Sequence, residues 1–237
     1  MTKTRLDQLM VIKGLVSSRS QAESWIGLGN VTVNGRAATK AGQFVSADAD
    51  IKLSAKEQYV SRAGLKLASV AELLGVRFKD MTVLDVGSST GGFTDYALQH
   101  GATKVIAVDV GTDQLHPTLR SDERIELHEK TDIRDFSTDD SIDIVVIDVS
   151  FISLREILPS VARIAPQATV VAMVKPQFEA GRDQVNKGII KNDAVRRQIL
   201  HDFETWAKQA FVILGKRDSE VAGSKGNRER FYLLKIS

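Results

Sequence analysis

The feature that most constrains the fold is an alternation of short apolar runs with helical patterns from Met81 to the C-terminus. The run from Val170 to Val174 is typical, because five consecutive apolar residues suit a strand buried on both faces of its sheet. Strand-like runs occur at Thr82–Val86, Lys104–Val108, Ile125–His128, Asp143–Ile147, Ala168–Val174, Phe211–Gly215 and Phe231–Ile236. Helical patterns separate several of them, at Phe93–His100, Leu154–Ile164 and Asp193–Ala210. The alternation predicts an α/β fold with a Rossmann-like, doubly wound and mostly parallel sheet.

Residues 1–54 follow a different pattern and are predicted to form a small α+β domain. Its predicted helices are Arg5–Val11 and Gln21–Leu28, and the second follows a Ser-Ser-Arg-Ser cap and ends at Gly29. The segment from Val31 to Arg36 alternates apolar and polar residues and contains Asn-Gly, a strong signal for a hairpin turn. Further strand-like residues that are predicted to continue the same sheet are Val45, Ile51 and Leu53.

The two parts of the chain differ in charge. Residues 1–60 contain eight basic and five acidic residues, a net charge of +3, whereas the whole chain carries only +2. A local basic excess suits a surface that contacts nucleic acid, although an ordinary solvated face can look the same. Residues 55–62 are the predicted linker, and residues 63–237 form the predicted second domain.

Composition disfavours several classes of protein. The chain has no cysteine, which excludes disulfides and thiolate metal sites, and its four histidines lack metal-ligand spacing. No apolar run approaches the roughly 18 to 20 residues of a membrane helix, and the N-terminus lacks the apolar segment of a signal peptide. We therefore expect a cytoplasmic protein with no metal site and no membrane partner.

The stretch "VLDVGSSTGGFTD", residues 83–95, combines a strand, a glycine loop and a helix start. It is not the dinucleotide fingerprint, because position 89 is serine where the second glycine would stand, and no Lys-Ser or Lys-Thr follows as in a P-loop. A loop without these phosphate-binding signatures suits a nucleoside ligand, and S-adenosylmethionine is the expected cofactor. The predicted cofactor-binding residues here are Asp85, Gly87, Ser88, Ser89, Thr90, Gly91, Gly92 and Phe93.

Acidic residues follow four successive strands. Asp109 lies about 20 residues past the loop, where a carboxylate can accept hydrogen bonds from ribose hydroxyls. Asp132, followed by Ile133, is placed to meet the adenine edge. Together with Asp85 and Asp148 they form a series at the carboxyl ends of strands, where open α/β sheets bind their ligands.

A possible reactive group lies at the tip of the strand described first. Lys175 ends that strand, and Pro176 prevents it from continuing. Asp148 ends the preceding strand, so the two side chains are predicted to meet beside the glycine loop. Lys66, in the helix before the first strand, and Glu229, just before the last strand, complete a set of four charged residues.

These motifs resemble two known families. Residues 4–53, with "VSSRS" and "GNVTVNG", closely resemble the RNA-binding domain named after ribosomal protein S4. The order Lys, Asp, Lys, Glu around the sheet resembles the tetrad of FtsJ-type RNA 2′-O-methyltransferases. The whole chain is similar to the TlyA family, which joins the two domains and has also been labelled hemolysin; its matching stretches are "SRAGLKL", "VLDVGSSTGGFTD", "AVDVG", "DVSFISL", "VKPQFE" and "GNRERF".

The resemblance implies S-adenosylmethionine-dependent 2′-O-methylation of ribose, with cytidine in ribosomal RNA or ribosomal subunits as the target. It implies that the catalytic residues are Lys66, Asp148, Lys175 and Glu229. The residues expected to contact RNA are Arg5, Arg19, Asn34, Arg36, Lys40 and Arg62. Both a monomer and a homodimer are compatible with the sequence.

The chemistry is coherent on its own terms. A ribose hydroxyl is a poor nucleophile, so a neutral lysine within reach could remove its proton as the methyl group transfers in line. A free lysine is protonated at neutral pH, but burial and a second positive charge both favour the neutral form. Lys66 could supply that charge for Lys175, while Asp148 orients the amine or attracts the sulfonium and Glu229 positions Lys66 or the ribose.

Three other functions stay open at this level. The chain could be an RNA-binding or ribosome-assembly protein with an inactive methyltransferase fold, although the complete set of four charged residues favours an enzyme. A membrane-active hemolysin has little support from the sequence, since no membrane span or export signal is present. A nucleotide-dependent oxidoreductase is disfavoured by the missing second glycine of the dinucleotide fingerprint.

Overall fold

A computed structural model describes residues 3–16, 18–27, 29–54, 59–181, 188–190, 192–223 and 226–237. The first part contains two helices and five short strands: β1 Lys3–Arg5, α1 Leu6–Ile12, α2 Arg19–Gly27, β2 Val31–Val33, β3 Arg36–Ala37, β4 Phe44–Ser46 and β5 Ile51–Leu53. The β2–β3 connection is the predicted hairpin: Asn34 and Gly35 have φ of 50° and 75°, the left-handed values that such a turn needs. Asn34 also accepts a hydrogen bond from the Asp50 backbone N–H, at 2.9 Å, which ties the turn to the strand beside it.

The strands of this part form two sheets, so the prediction of one continuous sheet is wrong. Ile51 and Leu53 pair with β2, as expected, but Val45 pairs with Thr4 in a separate antiparallel pair of β1 and β4. The sequence Lys-Thr-Arg of β1 does not alternate apolar and polar residues, so no local pattern indicated a strand there.

The second part is the predicted α/β sheet. Its strands are β6 Thr82–Val86, β7 Lys104–Val108, β8 Ile125–His128, β9 Ile144–Ile147, β10 Thr169–Val174, β11 Phe211–Asp218 and β12 Arg230–Ile236. Its helices are α3 Arg62–Ala71, α4 Gly92–Gln99, α5 Pro117–Arg120, α6 Leu154–Ile164, α7 Pro176–Glu179 and α8 Asp193–Ala207. The strand order is β11-β12-β10-β9-β6-β7-β8, with β6 to β10 parallel and β12 antiparallel to both of its neighbours, β10 and β11.

Helices cover both faces of this sheet. Successive strand residues point to opposite faces, so Val83, Val146 and Met173 pack on the side of α3 and α4. Val145 and Ala172 pack on the other side, against α6 and α8. The doubly wound architecture predicted from the sequence is thus confirmed, and all parallel strands end at one edge.

The connection between the two parts is packed where it is described. Residues 55–58 of the predicted linker lie outside the described residues. Tyr59 is buried, and its carbonyl accepts a 2.6 Å hydrogen bond from the Gln21 side chain of α2. The Asp95 carboxylate of α4 accepts a 2.7 Å bond from the Val60 backbone N–H, and Ser61 caps α3.

Candidate active site

Lys175 and Asp148 meet at the carboxyl edge of the sheet. The strands that carry them, β10 and β9, are parallel neighbours, and their last register pair is Ala172 with Ile147. The Lys175 Nζ lies 2.6 Å from Asp148 Oδ1 and donates a 2.7 Å hydrogen bond to Ser150 Oγ. The predicted meeting of the two strand tips is therefore observed. Pro176 is the first residue of α7 and turns the chain away from the sheet.

Lys66 and Glu229 form a second ion pair at the same edge. The Lys66 Nζ lies 2.5 Å from Glu229 Oε2, and the two side chains are 9% and 3% exposed. The β10–β12 register ends with Val174 opposite Arg230, so the next residues, Lys175 and Glu229, continue on the sheet face of Met173 and Phe231. Both ion pairs accordingly lie on the α3 side of the sheet.

The pairing changes the expected role of Lys66. Because Glu229 offsets the charge of Lys66, this ammonium is not a lone positive charge acting on Lys175. Asp148 likewise pairs with Lys175, whose Nζ lies 2.6 Å from its Oδ1. The sequence correctly grouped the four residues, but it could not show that each lysine has its own carboxylate.

The glycine loop lies directly beside these residues. A cavity of about 140 Å³ is lined by loop residues together with Lys175 and its partners; its wall consists of Ser61, Ala63, Asp85, Gly87, Ser88, Ser89, Thr90, Phe93, Asp148, Ser150 and Lys175. A larger cavity of about 540 Å³ shares Gly87, Ser89, Asp148 and Ser150 with it and extends to Asp109, Asp132 and Ile133. The predicted cofactor residues thus line two adjoining cavities, apart from Gly91 and Gly92.

The glycines of the loop are required by packing and backbone conformation. Gly87 has φ of 81°, and a side chain there would place its Cβ 2.8 Å from the Asp148 carbonyl oxygen. Gly91, at φ of 92°, is the residue before α4, and a Cβ on Gly92 would lie 2.7 Å from Ala63 Cβ. The sequence analysis attributed these glycines to the approach of a ligand; in the structure they also let Asp148 and the start of α3 pack on the loop.

Asp85 is a buried acid on the wall of the smaller cavity. Burial raises its pKa to about 7, with the Asp148 and Asp109 carboxylates adding to the effect and the hydrogen bond from Thr94 opposing it. Thr94 Oγ1 donates to Asp85 Oδ2 at 2.6 Å, whereas Asp85 Oδ1 and the buried Ser88 Oγ have no hydrogen-bond partner among the described residues. Buried polar atoms are nearly always paired, so these two suit a ligand that brings hydrogen-bond donors into the cavity.

Asp109 and Asp132 lie farther along the larger cavity. Asp109 accepts hydrogen bonds from the backbone N–H groups of Ser89, at 2.8 Å, and Gly111, at 2.7 Å, which fix its carboxylate at the cavity wall. The guanidinium of Arg134 binds both oxygens of Asp132 and lowers the pKa of that carboxyl. If Asp132 contacts adenine as predicted, its carboxylate would have to bind the base and Arg134 at the same time.

Two residues of the site were not singled out from the sequence. Ser150 is the second partner of Lys175, and the only available signal was its position two residues beyond Asp148, on the same side of the chain. Phe151 is 90% exposed, has φ of 66° and lines the larger cavity, with its ring 5.2 Å from that of Phe178. Backbone strain is concentrated at functional sites, and an exposed aromatic ring offers a large surface for binding.

The predicted RNA contacts are partly grouped. Arg5 and Arg19 each approach the buried Asp7 at 2.8 Å, while remaining 37% and 51% exposed. Their guanidinium groups lower the pKa of Asp7 to about 2. Arg36 and Lys40 are exposed on the hairpin and the segment after it, Asn34 is held in the turn, and Arg62 begins α3 beside the smaller cavity.

Comparison with protein families gives two matches. The FtsJ-like methyltransferase family matches residues 59–236, and the S4 domain matches residues 4–51. In the described parts of the chain, no helix is long and apolar enough to cross a membrane.

Several characterised proteins are similar over most of the chain. The 16S/23S rRNA (cytidine-2′-O)-methyltransferase TlyA of Mycobacterium tuberculosis is 35% identical over 98% of this chain and 90% of its own. The 23S rRNA (cytidine-2′-O)-methyltransferase TlyA of Campylobacter jejuni is 41% identical over 74% of this chain and 70% of its own. Hemolysin A of Brachyspira hyodysenteriae is 38% identical over 95% of this chain and 97% of its own.

Solved structures show the same relationship. A Streptococcus thermophilus protein that carries the name hemolysin has 39% sequence identity and a TM-score of 0.75, with 100% of this chain and 90% of that chain covered. A Lactococcus lactis protein with the same name has 42% identity and a TM-score of 0.73, with 76% of this chain and 89% of that chain covered.

Proposed function

Because the chain belongs to the FtsJ-like methyltransferase family, and within it to the TlyA proteins, we propose that it methylates the ribose 2′-hydroxyl of a cytidine in ribosomal RNA. The observation that supports this most strongly is the position of the Lys175 amine. It is held by Asp148 and Ser150 on the wall of a cavity that the glycine loop also lines. A proton acceptor and a cofactor cavity in contact are what a methyl transfer to a hydroxyl needs.

S-adenosylmethionine is the proposed cofactor. The unpartnered Asp85 Oδ1 suits an ammonium donor, and Asp109 suits ribose hydroxyls. Ile133 and Asp132 form the far wall of the larger cavity and would hold the base. The bound cofactor supplies an activated methyl group, so the protein needs no metal or covalent intermediate for this step.

The proposed proton path begins at the target hydroxyl and ends on Lys175. The amine must be neutral to act as the acceptor, so any surplus proton that it carries would pass to solvent first. The neutral Nζ would then accept the 2′-hydroxyl proton, while Asp148 and Ser150 keep the amine in position.

The second ion pair is proposed to orient the substrate. Neither Lys66 nor Glu229 lines the two cavities, but both lie at the same edge and on the same sheet face as Lys175. Glu229 is the carboxylate that pairs with Lys66 among the described residues, and a buried ammonium has three donors, more than one carboxylate uses. Lys66 would therefore donate to the sugar, and Glu229 would hold it in place.

The N-terminal part is proposed to bind the RNA. Arg5, Arg19, Asn34, Arg36 and Lys40 offer cationic and polar groups to phosphates, and Arg62 lies at the junction with the active site. The proposed partner is ribosomal RNA, free or in a subunit, and the proposed location is the cytoplasm, where that partner is found.

The proposal is tested by labelling. Unmodified ribosomal RNA is incubated with tritiated S-adenosylmethionine and the protein, and 2′-O-methyl positions are then mapped. We expect incorporation at one or a few cytidines, on the 2′ oxygen. Label on a base, or RNA binding without any label, would reject the proposed reaction, and the second result would favour a non-catalytic RNA-binding protein.

A further inference from the structure

Three arginines converge on a single carboxylate at the edge of the sheet that carries Lys175. Arg230 Nε lies 2.6 Å and Arg196 Nη2 lies 2.8 Å from Asp218 Oδ1, and Arg228 Nη2 lies 3.6 Å from Asp218 Oδ2. Arg196 Nε also donates a 3.0 Å hydrogen bond to the Arg228 carbonyl oxygen. We call Arg196, Asp218, Arg228 and Arg230 the arginine cluster.

Strand pairing places the arginine cluster next to the active site. Arg230 pairs with Val174, the residue before Lys175, and Asp218 pairs with Arg230 on the other side. Glu229 points to the α3 side of the sheet, where it binds Lys66. Because strand residues alternate, Arg228 and Arg230 face the opposite side, where α8 contributes Arg196. The arginine cluster and the four charged residues of the site thus share one edge of the sheet.

The arginine cluster carries more positive than negative charge. The guanidinium groups of Arg230 and Arg196 lower the pKa of Asp218, against the opposing effect of burial, so this carboxylate is ionised at neutral pH. One negative charge faces three positive charges, an excess of two. The nearby Glu204 does not remove this excess, because Lys216 binds it at 2.8 Å.

Within the part of the chain that the structure describes, Arg228 is the member of the cluster whose donors are unused. It is 61% exposed, whereas Arg196 is 9% exposed and Arg230 is 23% exposed. Its 3.6 Å approach to Asp218 is too long for a hydrogen bond, so its planar fork of N–H groups faces solvent beside the active site. Phosphate is the group that such a fork binds best, with two parallel hydrogen bonds.

We propose that Arg228, supported by the charge excess of the arginine cluster, binds a backbone phosphate of the RNA next to the target nucleotide. The inference rests on the proposed function, because a ribose held at Lys175 carries phosphates on both of its sides. It assigns substrate binding to the methyltransferase part of the chain as well as to the N-terminal part. The contact would set the register of the strand at the active site without reading its sequence.

The experiment measures RNA binding without methyl transfer. Ribosomal RNA transcribed in vitro is titrated with wild-type protein and with Arg228→Gln, Arg228→Lys and Arg197→Gln at several salt concentrations. Arg197 is the matched control, since it is an exposed arginine on α8 next to Arg196 but outside the arginine cluster. Melting temperatures and S-adenosylmethionine affinity verify that each variant is folded.

We expect Arg228→Gln to weaken RNA binding ~5-fold and to reduce the slope of log affinity against log salt by about 0.7 to 0.9, the value for one lost phosphate contact. Arg228→Lys keeps the charge but loses the fork, so it should keep the wild-type salt slope and lose part of the affinity, by about twofold to threefold. Arg197→Gln should stay within about twofold of wild type in affinity and keep its slope. Unchanged affinity and slope in Arg228→Gln, or an equal loss in Arg197→Gln, would overturn the inference. Failure of the proposed function looks different, because wild-type protein would then bind RNA with a normal salt slope and transfer no label.

Discussion

At the scale of single residues, the site depends on how each buried charge is compensated. Among the described residues, Lys175 contacts Asp148 and Ser150 and lies over the Phe178 ring, and Lys66 pairs with Glu229. Asp85, in the same part of the structure, faces no cation and accepts neutral hydrogen bonds from the hydroxyl and the backbone N–H of Thr94. Asp85 is therefore the acid whose ionisation a positively charged ligand would change most. We therefore propose that this carboxyl links cofactor binding to pH.

The affinity for S-adenosylmethionine should depend on pH through Asp85. Its pKa of about 7 keeps the carboxyl largely neutral in the ligand-free protein below pH 7, and a cationic ligand binds the ionised form better. Calorimetry should show affinity rising by about tenfold or more from pH 5.5 to pH 7.5, and a much flatter profile in Asp85→Asn. An identical pH profile in that variant would contradict the role of Asp85.

The raised pKa of Asp85 should also make the stability of the folded protein depend on pH. Because the folded-state pKa of Asp85 is raised, its contribution to stability is fully present below the unfolded value near 4 and is lost as pH rises through about 7. Without cofactor, Asp85→Asn should therefore gain in melting temperature relative to wild type between pH 5 and pH 8. A constant difference between the two proteins over that range would be inconsistent with a raised pKa.

Ser150 should act as a positioning residue for Lys175. Ser150→Ala removes one of the two groups that hold the amine and leaves the other, Asp148, in place. We expect the single-turnover methylation rate to fall by about tenfold to a hundredfold, as the loss of one hydrogen bond to a charged group implies, with cofactor affinity within a few-fold. A wild-type rate in Ser150→Ala would show that this contact is dispensable.

At the scale of elements, the two loops of the site are joined by a buried acid. Glu179, at the end of α7, accepts hydrogen bonds from Ser153 Oγ at 2.6 Å and from the Leu154 backbone N–H at 2.7 Å. It thereby fixes the start of α6, and with it the segment from Asp148 to Ser153, to the helix that follows Lys175. Burial raises the pKa of this carboxyl despite both bonds.

Glu179→Gln should therefore lower the rate of methyl transfer, although Glu179 is not one of the reacting groups. The amide keeps the size of the side chain but can accept only one of the two hydrogen bonds well. We expect kcat to fall about tenfold with KM for the cofactor nearly unchanged, and Glu156→Gln, an exposed acid in the first turn of α6, to behave as wild type. Equal kcat values in the two variants would show that Glu179 serves stability alone.

The secondary-structure elements also show which features of the fold could be predicted from the sequence. Parallel strands that are consecutive in the chain and adjacent in the sheet place their ends together, which is why Asp148 and Lys175 were predicted to meet. Apolar runs also located all seven strands of the main sheet, with ends within a few residues of the observed ones. Lys3–Arg5, by contrast, is a strand held only by its pairing with Phe44–Ser46. The sequence could not predict that the four charged residues form two separate ion pairs, because this pairing depends on how the side chains pack in three dimensions.

At the scale of the whole molecule, we propose that both parts of the chain bind RNA and that the second part alone carries the chemistry. Asp7, fully buried, holds Arg5 and Arg19 side by side at the surface of the first part. The arginine cluster adds a second cationic site at the edge of the main sheet. An RNA that contacts both would be held at two points while its target ribose lies at Lys175.

Arg19→Gln tests the division between the two parts. We expect KM for RNA to rise by about fivefold. The slope of log affinity against log salt should fall by about 0.7 to 0.9, because one phosphate contact is lost. The turnover at saturating RNA and the cofactor affinity should stay as in wild type. Lys208→Gln, which removes an exposed charge at the end of α8, is the control. A loss of turnover at saturating RNA would argue against separate roles.

The central claim is that the Lys175 amine accepts the proton of the target hydroxyl. The most direct measurement is the single-turnover rate of methyl transfer to ribosomal RNA, with the enzyme preloaded with S-adenosylmethionine, in wild type and Lys175→Ala. We expect a rate at least about a hundredfold lower in the variant, as for the loss of a general base, with cofactor affinity within a few-fold. A Lys175→Ala protein that methylates RNA at the wild-type rate would contradict it.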